Sequence, residues 1–410
     1  MKTVFRLTFE DNSFFANLPA ISSLLLFYRR SISVALYAIT GISSALWLPL
    51  ICMLSIGLFA FWIVATRYVV VDPICYLPLI LMLALYMISL FFAPNEYGNA
   101  FFREFLLYCL SGAIIISTVR EYKAFIKMYC WFSFWIFIIC APLPFLSGSF
   151  SYHGMSYFES GMVYGDWVVC PCFFGLYLLR KQFDRKIMIV LEMIDLFLVA
   201  LFANRTSLLS VMLFVMLYEL IIQKRRDKKV IYKWILIFLV GGMTFLFMGN
   251  ILQLLQSYLS NHDITSRTLQ KSIILFSEND YLAYSYIVSG RDQITRMALE
   301  LLKENALFGI GVGTFTVLTG IVYTHNIVTD ALLTFGIFGG SLILFFTGKA
   351  IVNTFKRNEE SLQIVLLVLF ILCFPRLIFS KTFVNDVPYW MFVVFALGQG
   401  NKKIQETPDA

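Results

Sequence analysis

The sequence predicts an all-α polytopic membrane protein with about twelve transmembrane helices and one large loop on the outer side. Three observations carry this prediction. Of 410 residues, 60% are hydrophobic, 17% aromatic and only 14% charged, which is more apolar surface than a water-soluble core can bury. The apolar residues fall in runs close to the ~20 residues that cross a bilayer. The Lys and Arg residues sit in short clusters between those runs, so the net charge of +7 reads as membrane topology, and nucleic acid is not expected as a partner.

In chain order, residues 1–30 are mixed, carry Arg6, Glu10 and Asp11, and lack a small-residue cleavage site after an apolar run, so they read as a cytoplasmic N-terminal segment. Arg29 and Arg30 then flank the first span. Residues 31–66 hold no charge and are long enough for two spans joined near Pro49. Further spans are expected at about 73–94, 102–118, 128–146, 161–179, 187–203, 207–223, 230–250, 326–348, 361–380 and 386–399. Helices one to nine thus occupy 31–252, helices ten to twelve 325–400, and a cytoplasmic tail 401–410.

Positive charge falls in every second loop: Arg67; Arg120, Lys123 and Lys127; Arg180, Lys181, Arg185 and Lys186; residues 224–229; Lys349, Lys356 and Arg357; and Lys402 with Lys403. The intervening 95–100 and 147–160 carry no Lys or Arg, and Arg103 beside Glu104 is a mild exception. The positive-inside rule then puts both termini in the cytoplasm and the large loop, 253–324, outside. Within that loop, Ser289-Gly290-Arg291-Asp292 is a capping-box pattern, and Ile294, Met297, Ala298, Leu301 and Leu302 repeat at helical spacing. They predict an amphipathic helix near 291–304, resting on the outer face of the membrane. Gly309, Gly311 and Gly313 follow a helix and not a strand, so they turn the chain back toward the membrane and do not form a dinucleotide site.

Polar residues that lipid disfavours mark candidate sites. Arg205 lies between two apolar runs that meet almost without a loop, where it can snorkel to headgroups or hold an anion at the outer leaflet. Arg376 follows Phe374-Pro375 in the outward half of a span, and a proline-broken helix suits a polar cavity better than lipid. Arg291 opens the loop helix, where guanidinium and helix N-terminus can act on one phosphate. His325-Asn326 stands at the mouth of an apolar helix, and a neutral imidazole is the usual proton acceptor near pH 7. Asp166, near the outer end of its span, and Asn326 are candidate cavity-lining residues, while Glu192 and Asp195 read as ion-paired or protonated structural groups on the inward side.

Other chemistries lack their residues. The eight cysteines lie in or beside apolar runs and give no disulfide framework. His153, His262 and His325 fall in separate segments, with no His-Glu-x-x-His and no paired outer-face Asp-x-Asp motif, so no metal and no cofactor is expected. Gly-x-Ser-x-Gly is absent too.

The string His325-Asn326-x9-Gly336-x-x-Gly339, with Arg205-x3-Leu209 and Gly290-Arg291, resembles the O-antigen polymerase and O-antigen ligase superfamily of bacterial envelopes. The resemblance covers the later half of the chain by motif and the first half by topology alone. It implies a GT-C-type inverting glycosyltransferase, metal-independent, in the bacterial inner membrane with its active site facing the periplasm. It implies as partners an undecaprenyl-diphosphate-linked oligosaccharide donor and acceptor, the lipid bilayer and a chain-length regulator protein. On it, His325 is the catalytic base, and Arg205, Arg291 and Arg376 bind the diphosphate. Residues 379–390 are similar to the closing segment of many polysaccharide polymerases, which favours a polymerase. The alternatives are a ligase that transfers polysaccharide to lipid A-core and, from another class, a polysaccharide or anion transporter, whose two six-span halves would be symmetry-related.

Overall fold

A computed structural model describes residues 4–5, 13–66, 69–70, 73–143, 164–183, 188–202, 205–223, 257, 291–379 and 381–398. The span expected at 230–250, the Ser289-Gly290 cap and the tail at 401–410 lie outside the described residues. Those described are almost entirely helical, apart from a two-residue antiparallel pairing of β1 (Val4–Phe5) with β2 (Val69–Val70). Among them six helices are long and apolar enough to cross a membrane: Ala45–Thr66, Pro73–Phe92, Glu96–Ser117, Tyr122–Cys140, Ile327–Lys356 and Glu360–Phe379. The protein is therefore an all-α polytopic membrane protein, as the composition requires.

The chain divides into two compact units. The first comprises Met1–Phe27, Ile51–Ile126 and Ile294–Ala410. It holds α1 (Ser13–Phe27), most of α3 (Ser44–Thr66), α4 (Leu77–Phe92), α5 (Glu96–Glu104), α6 (Ser111–Ser117), most of α11 (Arg291–Glu304), α12 (Thr314–Thr319), α13 (Ile327–Lys356), α14 (Glu360–Phe379) and α15 (Val387–Gly398). Helix α15 is apolar all round and buried from Val387 to Leu397, the pattern of a core helix that meets little solvent or lipid. Around it pack α6, α14 and α13. Helix α1 joins this unit through a cluster of Leu18, Leu26, Cys52, Phe59, Trp62 and Ile115, and the Ser55 hydroxyl donates to the Ser22 carbonyl at 2.6 Å.

Loops of the unit gather at two ends, as alternating charge requires. At one end the 309–313 segment meets the α4–α5 turn, where Asn95 Nδ2 donates to the Val312 carbonyl at 2.8 Å, and the 381–386 loop meets α5 through Asn385 and Glu104 at 2.6 Å. At the other, Arg120, Arg357 and Glu359 surround the Tyr122 hydroxyl, and Gly398 lies against Cys75.

The second unit comprises Tyr28–Leu50 and Lys127–Gln293. It contains α2 (Arg29–Thr40), most of α7 (Tyr122–Cys140), α8 (Cys170–Gln182), α9 (Met188–Phe202) and α10 (Arg205–Leu217). Phe174 and Phe214 stack at 4.2 Å between α8 and α10. Arg180 grips Glu192 with two bonds of 2.6 and 2.8 Å, and Lys181 reaches Glu219 at 2.6 Å, so Glu192 is ion-paired as expected. Asp195 is fully buried, and among the described residues neither of its carboxylate oxygens has a hydrogen-bond partner.

Several boundaries differ from the sequence expectation, each for a local reason. The uncharged stretch 31–66 is divided at Gly41, whose left-handed conformation (φ 69°) caps α2, and Pro49 rides inside α3 as its sixth residue. Arg29 and Arg30 open α2, one residue beyond the end of α1, and Arg29 is only 3% exposed. Helix α14 continues through Pro375, whereas α13 is interrupted at Gly336 (φ 67°, ψ −174°). Helix α11 begins at Arg291 as expected, but Ile294 and Ala298 on its apolar face are covered by Phe315 and Leu333 of the same unit, not by lipid.

Candidate active site

The break at Gly336 organises one end of the first unit. In an unbroken α13 the Ile337 amide would bond the Leu333 carbonyl. Instead Ile337 donates to the Ala306 carbonyl at 2.8 Å, and the released Leu333 and Thr334 carbonyls accept from the amides of Ile310 (2.8 Å) and Gly311 (3.0 Å). The glycine segment thus substitutes for a missing helical turn. It fits only because side chains are absent: a Cβ on Gly336 would stand 2.1 Å from the Leu307 oxygen, and one on Gly309 2.5 Å from the Gly336 nitrogen. Beyond it, Val312 donates to Ser89 Oγ at 2.7 Å. The glycines expected merely to turn the chain are the means by which a broken membrane helix satisfies its backbone.

The half-helix before the break begins at Ile327, with Asn326 as N-cap: its Oδ1 accepts from the Val328 amide at 2.8 Å. His325 immediately precedes the cap and has φ 62°, the one positive-φ residue other than glycine among the described residues. Such a conformation costs free energy for a side-chain-bearing residue and persists where its surroundings enforce it. Here they do. Thr324 is buried and donates to the Asn326 carbonyl at 3.2 Å, the imidazole meets the Tyr323 ring edge-on at 4.6 Å, and Nδ1 lies 3.2 Å from the Phe379 carbonyl at the end of α14.

A carbonyl oxygen only accepts, so Nδ1 carries the proton of the neutral ring and the lone pair resides on Nε2. The same logic orients metal-binding and catalytic histidines generally.

Arg376 stands one turn before Phe379 and is 4% exposed, with Nε donating to the Leu372 carbonyl at 2.6 Å. Its guanidinium and the Lys381 ammonium act on Asp386, which lies in the loop before α15. Burial raises the Asp386 pKa, but the Lys381 and Arg376 charges, with hydrogen bonds from Lys381 and the Tyr389 amide, outweigh burial and hold the carboxyl below its usual range. Lys381 bonds Asp386 directly, and Asp386 Oδ2 accepts from the Tyr389 amide at 3.1 Å. Thr382 donates to Asp330, in the first turn of α13, at 2.6 Å; Phe383 O accepts from Trp390 Nε1 at 2.9 Å; and Val384 O accepts from the Tyr86 hydroxyl at 3.2 Å. The 381–386 loop is therefore held residue by residue at the end of α14, beside the histidine's anchor.

The structure brings His325, Asn326 and Arg376 to one end of the first unit. In the second, Arg205 and Arg291 each open a helix, α10 and α11, and Asp166 is half-buried, accepting a hydrogen bond from the Ser207 hydroxyl two residues after Arg205. Sequence reasoning did not single out Asp330, Thr382, Lys381 or Asp386. The signal was the density of polar residues in 380–386 between two apolar runs. Among the described residues no group of three or more metal-ligating side chains converges.

Fold and site define a class: an all-α membrane protein with a histidine at the mouth of a broken helix. Residues 190–344, somewhat under half of the chain, match the family model described as O-antigen ligase, Wzy_C, and the match supports a place in the O-antigen ligase and polymerase superfamily. The matched segment includes Arg205, Arg291, His325 and Gly336 and ends before Arg376. The family covers ligases and polymerases, membrane enzymes of the bacterial inner membrane that transfer glycosyl groups. No curated protein matches the chain.

Proposed function

We propose that the protein is a surface-polysaccharide polymerase of the O-antigen type, joining undecaprenyl-diphosphate-linked repeat units at the periplasmic face by inverting glycosyl transfer. The observation that carries this reading is His325: a strained backbone position, a tautomer set by the Phe379 carbonyl, and therefore a basic Nε2. In the reaction the acceptor hydroxyl gives its proton to Nε2 as its oxygen bonds the anomeric carbon. The bond from that carbon to the diphosphate oxygen breaks on the opposite face, and the lipid diphosphate leaves as the anion. Fixed guanidinium groups favour that growing charge, which is the role assigned to Arg205, Arg291 and Arg376; part of the Arg376 charge is already engaged by Asp386.

The experiment is His325→Ala in a strain lacking the chromosomal copy, with surface polysaccharide separated by size. Loss of a positioned base costs ~10²–10⁴ in rate, so single repeat units on lipid A-core are expected in place of long chains. Normal chain length with His325→Ala overturns the catalytic assignment. The matched family, O-antigen ligase, favours a second reading, a ligase; a deletion strain that attaches no units at all to lipid A-core supports that reading instead.

A further inference from the structure

Two separate links join the start of α13 to the end of α14. The first is the contact of His325 Nδ1 with the Phe379 carbonyl at 3.2 Å. By itself it is a soft support, because the imidazole is half-buried and Phe379 ends its helix, where carbonyls lack an intrahelical partner and the last turn frays. The second link lies deeper. One turn into α13, Asp330 is 6% exposed, and just past Phe379, Thr382 is 5% exposed. Thr382 Oγ1 donates to Asp330 Oδ2 at 2.6 Å and accepts from the Val384 amide at 3.3 Å, while the Phe383 amide bonds the same carboxyl. The Asp330 amide in turn donates to the Asn326 carbonyl at 2.8 Å, beside the histidine.

The two links act on the same pair of elements. The chain leaving Phe379 runs directly into Thr382, and the chain leaving His325 runs through the Asn326 cap to Asp330. With the buried link closed, the Phe379 carbonyl cannot slide along the imidazole without breaking hydrogen bonds that water does not replace. With it open, the carbonyl meets Nδ1 only part of the time, and neither ring nitrogen is fixed as the protonated one. A carboxyl inside an apolar membrane helix is costly to keep and marks function more often than packing.

We propose that Asp330 and Thr382 are positioning residues for glycosyl transfer: their hydrogen bond keeps the Phe379 carbonyl on Nδ1 and so keeps the proton-accepting lone pair of His325 on Nε2. The proposal rests on the glycosyl-transfer reading and adds to it two residues that act through His325 and not on the substrate. Thr347 offers the comparison for a hydroxyl that only ties helices together. It lies on the same helix beyond the break at Gly336, is buried, and pairs with the Tyr389 hydroxyl at 2.8 Å.

The test uses full-length protein in nanodiscs, with lipid-linked repeat units extracted from a strain lacking the chromosomal copy. It reads kcat, donor KM, melting temperature and the nitrogen-15 spectrum of histidine-labelled protein at alkaline pH, where imidazoles are neutral. The chain has three histidines, and the His325 signals are those lost in His325→Ala. Thr382→Val, which keeps the shape and drops the hydroxyl, should lower kcat ~10–100-fold with donor KM unchanged, and should turn the Nδ1-protonated form of His325 into a mixture of both tautomers. Thr382→Ser should restore both readings. Thr347→Val should lower the melting temperature but leave kcat and the His325 signals as in wild type. If Thr382→Val does not fold, Thr382→Val combined with Asp330→Leu decides, because replacing both partners by apolar groups can be nearly neutral for folding; near-wild-type melting with mixed tautomers is expected. Wild-type His325 signals in either protein, or an equal loss of kcat in Thr347→Val, overturn the proposal and leave the glycosyl-transfer reading standing. That reading fails separately, if His325→Ala transfers sugar at the wild-type rate.

Discussion

A single methyl group tests the account of the broken helix. In Gly336→Ala the new Cβ meets the Leu307 carbonyl oxygen at 2.1 Å and its carbon at 2.3 Å, contacts that backbone cannot absorb. The residue would also sit at φ 67° and ψ −174°, a region used essentially by glycine alone and costing other residues about 1–3 kcal/mol. Relief requires the 306–311 segment to leave, which breaks the bonds of Ile310, Gly311 and Ile337 at about 0.5–1.5 kcal/mol each. Together these give a loss of about 3–7 kcal/mol, a large share of the ~5–15 kcal/mol that keeps a domain folded. The assay is hydrogen exchange of those three amides with thermal unfolding in detergent. Protection should disappear and the melting temperature fall. Gly348→Ala is the control: nothing lies within 4 Å of its added Cβ, and Ala should raise helix stability by up to ~1 kcal/mol. Wild-type protection and melting in Gly336→Ala would refute the docking.

Lys381→Met should destabilise by about 3–5 kcal/mol, because it leaves Asp386 charged and buried, whereas Lys381→Met with Asp386→Asn should cost clearly less; a double-mutant cycle on melting temperature reads the coupling. Because the Asp386 pKa is lowered in the fold, its contribution to stability is present above the unfolded value of about 3.9 and is lost as pH falls through the folded value. A melting series from pH 7 to pH 3 should show this decline in wild type and not in Asp386→Asn. Asn326→Ala removes the cap of α13 and should cost about 0.5–2 kcal/mol, with Asn326→Asp close to wild type in the same melting assay.

The sequence made the solvent legible, because 60% hydrophobic content leaves few alternatives, and it made most described spans legible, because each is an apolar run ended by charge. It made His325 legible through its position before an apolar run. What it hid depends on partners remote in sequence. Arg29 and Arg30 read as a topology signal because local composition cannot distinguish a flanking arginine from one whose ring partner, Trp167, is far along the chain. Pro375 looked like a helix breaker, and Gly336 stood only as one position of a motif. Tertiary packing reversed the two: buried neighbours carry α14 past its proline, while only glycine tolerates the approach of the 306–311 segment. The apolar stripe of α11 was read correctly as a stripe, but amphipathicity does not say whether lipid or protein covers it.

The first unit is assembled from three separated stretches of chain, with the second unit's longest stretch, Lys127–Gln293, between them. Several of its hydrogen bonds therefore join early residues to late ones: Asn95 to Val312 across 217 positions, Glu104 to Asn385 across 281, and Tyr86 to Val384 across 298. At a synthesis rate of ~5–20 residues per second, Tyr86 waits about 15–60 s for its partner. During that interval α4 and α6 are in the bilayer without α15, the helix that later packs against both. The polar groups of Asn95 and Glu104 must meanwhile be satisfied by water or headgroups. Helix α15 is thus the one that closes the unit, and a chain stopped short of Val387 would contain the candidate histidine yet lack the support on which its anchor at Phe379 depends.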